Sequence, residues 1–278
     1  MPARHGTVAH LTDAAPRLWL RRFPNISDDP GAVTTRVVMI PHAGTGASTF
    51  ARWAPLFPPE VEVLRVQLPG REDSRHAAPA TSVLAAAMTL TGQLLAIRPL
   101  PTTVYGHSMG AVIAFELTRA LVAAGSSPLH LCVSGRRAPH LPATREPLHL
   151  RDDAELLAGL AELSDTWHLL ARAPEFLRDA LDLVRQDLTM VEDYRYRGGP
   201  MVAAGGTERL PVPLTVCHGD DDPLVDRDEA QAWSLHTARA FIMHSLSGDH
   251  FFHQQHRERL VELLTGGPGS GSDMRVEK

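Results

Sequence analysis

Cysteine is scarce in this chain, with two among 278 residues. Cys132 and Cys217 each lie inside an apolar, strand-like run (129–134 and 214–218), so they read as buried small hydrophobes rather than as a disulfide. A reducing compartment follows from that. Long apolar runs are missing as well: no uninterrupted segment could span a bilayer. Residues 1–16 carry His, Arg, Asp and Pro and no apolar core of signal-peptide length. The expectation is a cytoplasmic protein with no membrane contact. Positive charge is not in excess either, since the formal net charge is −5. No basic face or arm stands out, which argues against nucleic acid as a partner. The local basic pairs Arg71 with Arg75 and Arg136 with Arg137 read as solvated surface or as contacts for an acidic partner.

What the chain has is a regular alternation of strand-like and helix-like segments, the pattern of an α/β fold whose mostly parallel sheet is covered on both faces. Strands are expected at 17–21, 36–40, 61–67, 102–105, 129–134, 213–218 and 240–246, and helices at 81–97, 109–124, 226–236 and 250–264. Several strands are continuous apolar runs, as central parallel strands buried on both sides should be. One connection breaks the rhythm. Between Ser134 and Pro213 lie far more residues than a crossover needs, and they are helical. Leu177, Leu181, Val184, Leu188 and Val191 form an apolar stripe, and 152–163 and 165–172 read as shorter amphipathic helices. An insertion at 140–205, after the strand that follows the central helix, would overhang the site below as a lid. The expected organisation is a disordered N-terminus over 1–15, one catalytic domain over 16–265 and a disordered, Gly- and Ser-rich tail over 266–278.

The segment Tyr105-Gly106-His107-Ser108-Met109-Gly110-Ala111 joins the fourth strand to its helix. Glycine at both second neighbours of a serine suits a strand that turns sharply into a helix, where side chains would collide. The turn presents the Ser108 hydroxyl near a helix N-terminus, which favours developing negative charge. That arrangement serves nucleophilic attack on an acyl group. A serine hydroxyl needs a base, and the base an orienting carboxylate. Both follow in the order this architecture requires, each after a strand. The run Gly219-Asp220-Asp221-Asp222-Pro223 supplies the acid, with Asp222 first choice and Asp220 second. The run Gly248-Asp249-His250-Phe251-Phe252 supplies His250 as base. His253 and His256 share its helical repeat but lack a Cys or Glu to complete a metal set, so they read as surface. The three aspartates lack the alternating spacing of a calcium loop, and no metal is expected. An oxyanion hole is expected from the backbone N–H of Met109 and, from the loop Pro41-His42-Ala43-Gly44-Thr45-Gly46, that of Ala43.

Together these segments resemble the thioesterase branch of the α/β-hydrolases, and within it the stand-alone type II thioesterases of polyketide and non-ribosomal peptide assembly. The segments Leu68-Pro69-Gly70-Arg71-Glu72, Ser134-Gly135-Arg136 and Arg185-Gln186-Asp187 with Tyr194 also carry the resemblance, which runs from about 36 to about 260. Thr45 and Asp249 depart from it, standing where the family usually or often has glycine; the second puts a carboxylate beside the base. The resemblance implies an α/β-hydrolase fold with a helical lid. It implies a monomeric serine thioesterase that needs no cofactor of its own. Its substrate would be an acyl or peptidyl thioester on the phosphopantetheine arm of a carrier protein, and its role editing. An esterase, an acyl-CoA thioesterase or an acyltransferase would use the same residues, and a non-catalytic binding module would need a broken triad.

Overall fold

The computed structural model describes residues 18–23, 32–198 and 209–266. Among the described residues, seven strands form one sheet: β1 (Leu20–Arg22), β2 (Thr35–Ile40), β3 (Val61–Val66), β4 (Thr102–His107), β5 (His130–Ser134), β6 (Leu214–Gly219) and β7 (Phe241–Leu246). Their order is β1-β3-β2-β4-β5-β6-β7, and every pairing is parallel except that of the edge strand β1 with β3. This is the α/β-hydrolase arrangement.

The apolar runs are explained by burial on both faces. Successive residues of a strand point to opposite sides. Val38 and Ile40 of β2 therefore join one core, while Val37 and Met39 join the other. The same alternation separates Leu131 and Val133 from Cys132, and Val216 from Cys217. The first core packs under α1 (Val83–Leu95) and α2 (Met109–Ala123). The second packs under a 3-10 stretch at Ala47–Leu56 and under α7 (Arg257–Gly266). Both cysteines are free and buried in that second core.

The insertion between β5 and β6 is helical, as its stripes predict: α3 (Asp153–Ala161), α4 (Asp165–Leu170) and α5 (Pro174–Glu192). Proline opens α5, where a missing N–H costs nothing. The expected helix at 226–236 is α6 (Arg227–Gln231), fastened by an Asp226/Glu229 capping box, and it then tightens to 3-10 over Ala232–His236.

One helix starts later than its apolar pattern suggests. Residues 250–256 are turns and a short 3-10 piece, and α7 begins only at Arg257. Gly248 at φ +118° and the Asp249 carboxylate, which accepts the Phe251 N–H at 2.8 Å, bend the chain so that His250 points back to the strand ends. A continuous helix from 250 would carry it away. The expected N-terminal segment 1–15, Arg17 of the first strand, residues 199–205 of the insertion and the tail beyond Gly266 lie outside the described residues; Gly266 itself closes α7. Among the described residues, no helix is long and apolar enough to cross a membrane.

Candidate active site

The turn from β4 to α2 is as tight as the Gly-x-Ser-x-Gly spacing requires. Ser108 sits at φ 54°, ψ −114°, a conformation that costs a non-glycine residue roughly 1–3 kcal/mol. The space around it explains both glycines. A Cβ on Gly106 would lie 2.0 Å from the Gly110 carbonyl oxygen, and one on Gly110 would lie 2.2 Å from that of Ile40. The Ser108 N–H donates to the Ser134 carbonyl at 2.8 Å, tying the elbow to β5.

His250, carried by the bent segment after β7, comes within 3.1 Å of Ser108 Oγ through Nε2. Its Nδ1 lies 3.1 and 2.9 Å from the two oxygens of Asp222. A carboxylate only accepts, so Nδ1 carries the proton and Nε2 is left free to accept one from the serine. The Asp222 side chain is wholly buried, and its Oδ1 also accepts the Leu224 N–H at 2.9 Å. Asp220 and Asp221, the other members of the acidic run, are exposed. Sequence reasoning left Asp220 open; the structure brings Asp222 to the histidine. Among the described residues, no group of three or more His, Cys, Asp or Glu side chains is arranged to hold a metal.

The two expected oxyanion donors are the backbone N–H groups of Met109 and Ala43. Met109 opens α2, and neither its N–H nor that of Ala43 is taken up by an acceptor among the described residues. The next N–H, on Gly44, is taken: it donates to Asp187 Oδ2 of α5 at 2.8 Å. Arg71 grips the same carboxylate with both Nη atoms, at 2.6 and 2.8 Å, and donates to the Thr45 carbonyl at 3.1 Å. Both residues are almost fully buried, at 3% exposure each. Arg71 is therefore not the docking contact that its charge suggests; only Arg75 of that pair is exposed. Losing one member of such a buried pair costs about 3–5 kcal/mol.

Histidines crowd the floor beneath His250, and here too the sequence misleads. His253 is not on the surface: it is fully buried and stacks on His107 at 3.8 Å between ring centroids. His256 is half-buried, its Nε2 donating to the Ser247 carbonyl at 2.8 Å. His107 Nδ1 meets Ser134 Oγ at 2.8 Å, and that hydroxyl meets Tyr105 at 3.0 Å. Burial, then the neighbouring histidines, hold His107 and His253 well below the usual imidazole range. Burial and then His250 bring His42 down to about 3. Burial also lowers His130 to about 4, and burial with His140 and Arg119 lowers His236 to about 3.

These neutral rings make folding depend on pH. Below the ordinary histidine pKa, about 6.5, the unfolded chain takes up protons that the folded chain refuses. Stability is fully present above that value and falls as pH drops toward 4, by up to about 1.4 kcal/mol per pH unit for each such ring. Urea midpoints taken from pH 7.5 down to 4.5 should decline steadily. A flat profile across that window would contradict the neutral assignment.

Ser108 and His250 open on a cavity of about 980 Å³. Its walls come from the 135–148 loop, from α3 and from the end of α5 with Tyr194 and Tyr196, and Arg136 and Arg137 both line it. The helical insertion thus forms one side of the chamber. Tyr194 hydrogen-bonds Glu116 of α2 at 2.5 Å, a second tether between the insertion and the helix that Ser108 begins.

A family model described as Thioesterase domain matches residues 35–266. The gramicidin S biosynthesis protein GrsT of Aneurinibacillus migulanus is 32% identical, over 84% of this chain and 88% of its own length. Among solved structures, the type II thioesterase BorB from the borrelidin biosynthetic cluster superposes with a TM-score of 0.76 at 34% identity. That match covers 89% of this chain and 95% of BorB. YbtT, a type II thioesterase from the yersiniabactin NRPS/PKS biosynthetic pathway, gives a TM-score of 0.76 at 30% identity over 88% of this chain and 96% of its own.

Proposed function

This chain belongs to the thioesterase family, and we propose that it is a type II thioesterase which clears acyl or peptidyl groups from carrier-protein phosphopantetheine through an acyl-Ser108 intermediate. The observation that carries the chemistry is the unbroken line of contacts from Asp222 through His250 to Ser108, at 2.9 and 3.1 Å, on the floor of the cavity. The named relatives belong to gramicidin S, borrelidin and yersiniabactin biosynthesis, and that supports the substrate class.

His250 Nε2 takes the Ser108 proton as the oxygen attacks the thioester carbonyl. Negative charge gathers on the carbonyl oxygen, where the Met109 and Ala43 N–H groups receive it; such a donor is typically worth 10²–10³-fold in rate, about 2.7–4 kcal/mol. His250 passes the serine proton to the departing sulfur, a good leaving group because its thiol pKa is near that of cysteine, about 8.5, and is left neutral for the second step. A water that gives its proton to His250 then attacks the acyl-serine carbonyl, and the proton returns to Ser108 as the acid product leaves. No cofactor enters these steps. The enzyme acts as a monomer in the cytoplasm, on substrates that the partner carries to it.

The test is a rate comparison among the same acyl group on a carrier protein, on coenzyme A and on a simple aryl alcohol. The carrier-bound substrate should have the highest kcat/KM, and its KM should rise with salt where Arg75 and Arg137 meet an acidic carrier. An equal or higher kcat/KM on acyl-CoA would reassign the protein to acyl-CoA hydrolysis.

A further inference from the structure

Helix α5 belongs to the segment that the sequence marks as a cover, yet its middle turn is built into the catalytic frame. Val184 lies against Gly44, where a Cβ would come within 3.3 Å of Val184 Cβ. One turn on, Asp187 accepts the Gly44 N–H at 2.8 Å. Gly44 has φ +78°, so the Ala43–Gly44 peptide is held in one unusual orientation. Arg71 completes the clamp from the loop after β3, gripping Asp187 with both Nη atoms and the Thr45 carbonyl with one. Gln67 supports it in turn: its Oε1 accepts the Ala47 N–H at 2.7 Å, and its Nε2 donates to the Arg71 carbonyl at 3.0 Å. The Gly44 N–H and the Thr45 carbonyl are thereby committed to Asp187 and Arg71, while the adjoining Ala43 N–H has no acceptor among the described residues.

We infer that Asp187 is a positioning residue for the oxyanion hole, drawing the Gly44 N–H aside so that the adjoining Ala43 N–H stays aimed at the reacting carbonyl. The carboxylate touches neither substrate nor Ser108; it acts through one peptide group. Its charge is matched by Arg71, so the clamp adds no unpaired anion near the developing oxyanion. Helix α5 therefore works as a fixed wall of the site rather than as a moving flap. This inference rests on the acyl-Ser108 reading.

The intact protein is treated with a fluorophosphonate, whose phosphorus Ser108 attacks with loss of fluoride while negative charge on the phosphoryl oxygen falls to the oxyanion donors, and its hydrolysis of p-nitrophenyl propionate is measured in parallel. Rates are normalised to the phosphonate titre, which counts only folded, competent sites. Failure of wild type to label at Ser108 would overturn the nucleophile reading itself. With Ser108 labelled, Asp187→Ala should slow both kcat and labelling by about 10²–10³-fold, the loss typical of one oxyanion donor, while KM stays near its wild-type value. Asp187→Asn, which keeps an oxygen for the Gly44 N–H, should recover most of that loss. Should Asp187→Ala fail to fold, Arg71→Met/Asp187→Leu replaces the ion pair with an apolar pair that can pack but offers Gly44 no acceptor. It should be as slow as the single variant is expected to be. Wild-type kcat and labelling rates per titrated site, in either variant, would overturn the inference, as would a loss confined to KM.

Discussion

Ser108→Ala is expected to reduce thioester hydrolysis by about 10⁴–10⁶-fold in kcat while leaving the fold intact. The hydroxyl is the only group at the elbow that can form an acyl bond; without it the remaining parts can do no more than polarise the carbonyl for water. The oxyanion donors and the cavity alone keep roughly 10³–10⁴ of rate enhancement over water, so a small residual activity is compatible with the assignment. The substitution removes one contact, Ser108 Oγ to His250 Nε2, and alanine occupies the same backbone position, so stability should change by less than about 1 kcal/mol. Mass spectrometry gives an independent reading: a phosphonate adduct on wild type, none on the variant. Turnover within tenfold of wild type, or an adduct on another residue, would remove Ser108 from the mechanism.

The elbow and its order of partners were legible because each imposes a backbone condition that few residues meet. Gly106 and Gly110 mark places where a Cβ would strike a carbonyl oxygen at 2.0 and 2.2 Å, and such a demand shows in sequence. The strands were legible through their double-sided burial, which writes itself as unbroken apolar runs. The bend after β7 was not. Residues 250–264 carry an apolar helical repeat, but Phe252 and His253 are buried by turning under β4, and periodicity cannot tell a helix face from a folded loop that fills the same core.

Arg71 and Asp187 show a second kind of blind spot. Arginine after Pro-Gly reads as surface, because the partner that buries it lies 116 residues away. The signal was there on α5: Asp187 falls three positions after Val184 and four before Val191, on the apolar stripe itself. A lone carboxylate on a buried face must find a cation or a set of donors. Read that way, the stripe predicts a buried partner for Asp187, although not which loop supplies it.

Asp222→Asn is expected to lower kcat by about 10⁴-fold with little change in KM or stability. With aspartate, both carboxylate oxygens face Nδ1 at 3.1 and 2.9 Å and can only accept, so the imidazole proton is held on Nδ1. An asparagine in the same place still receives the Leu224 N–H through Oδ1, and this turns its amide N–H toward Nδ1. Nδ1 must then accept, the proton moves to Nε2, and the nitrogen facing Ser108 becomes a donor where a base is required. Nothing is displaced; the ring simply carries its hydrogen on the wrong side. The same swap at exposed Asp220, whose backbone N–H is bound to the Leu246 carbonyl at 2.9 Å, should leave kcat within about twofold of wild type, as surface substitutions usually do. The pair of variants discriminates between the two aspartates that the sequence leaves open. A collapse of kcat in Asp220→Asn, with Asp222→Asn still active, would transfer the orienting role and require a different path from the carboxylate to His250.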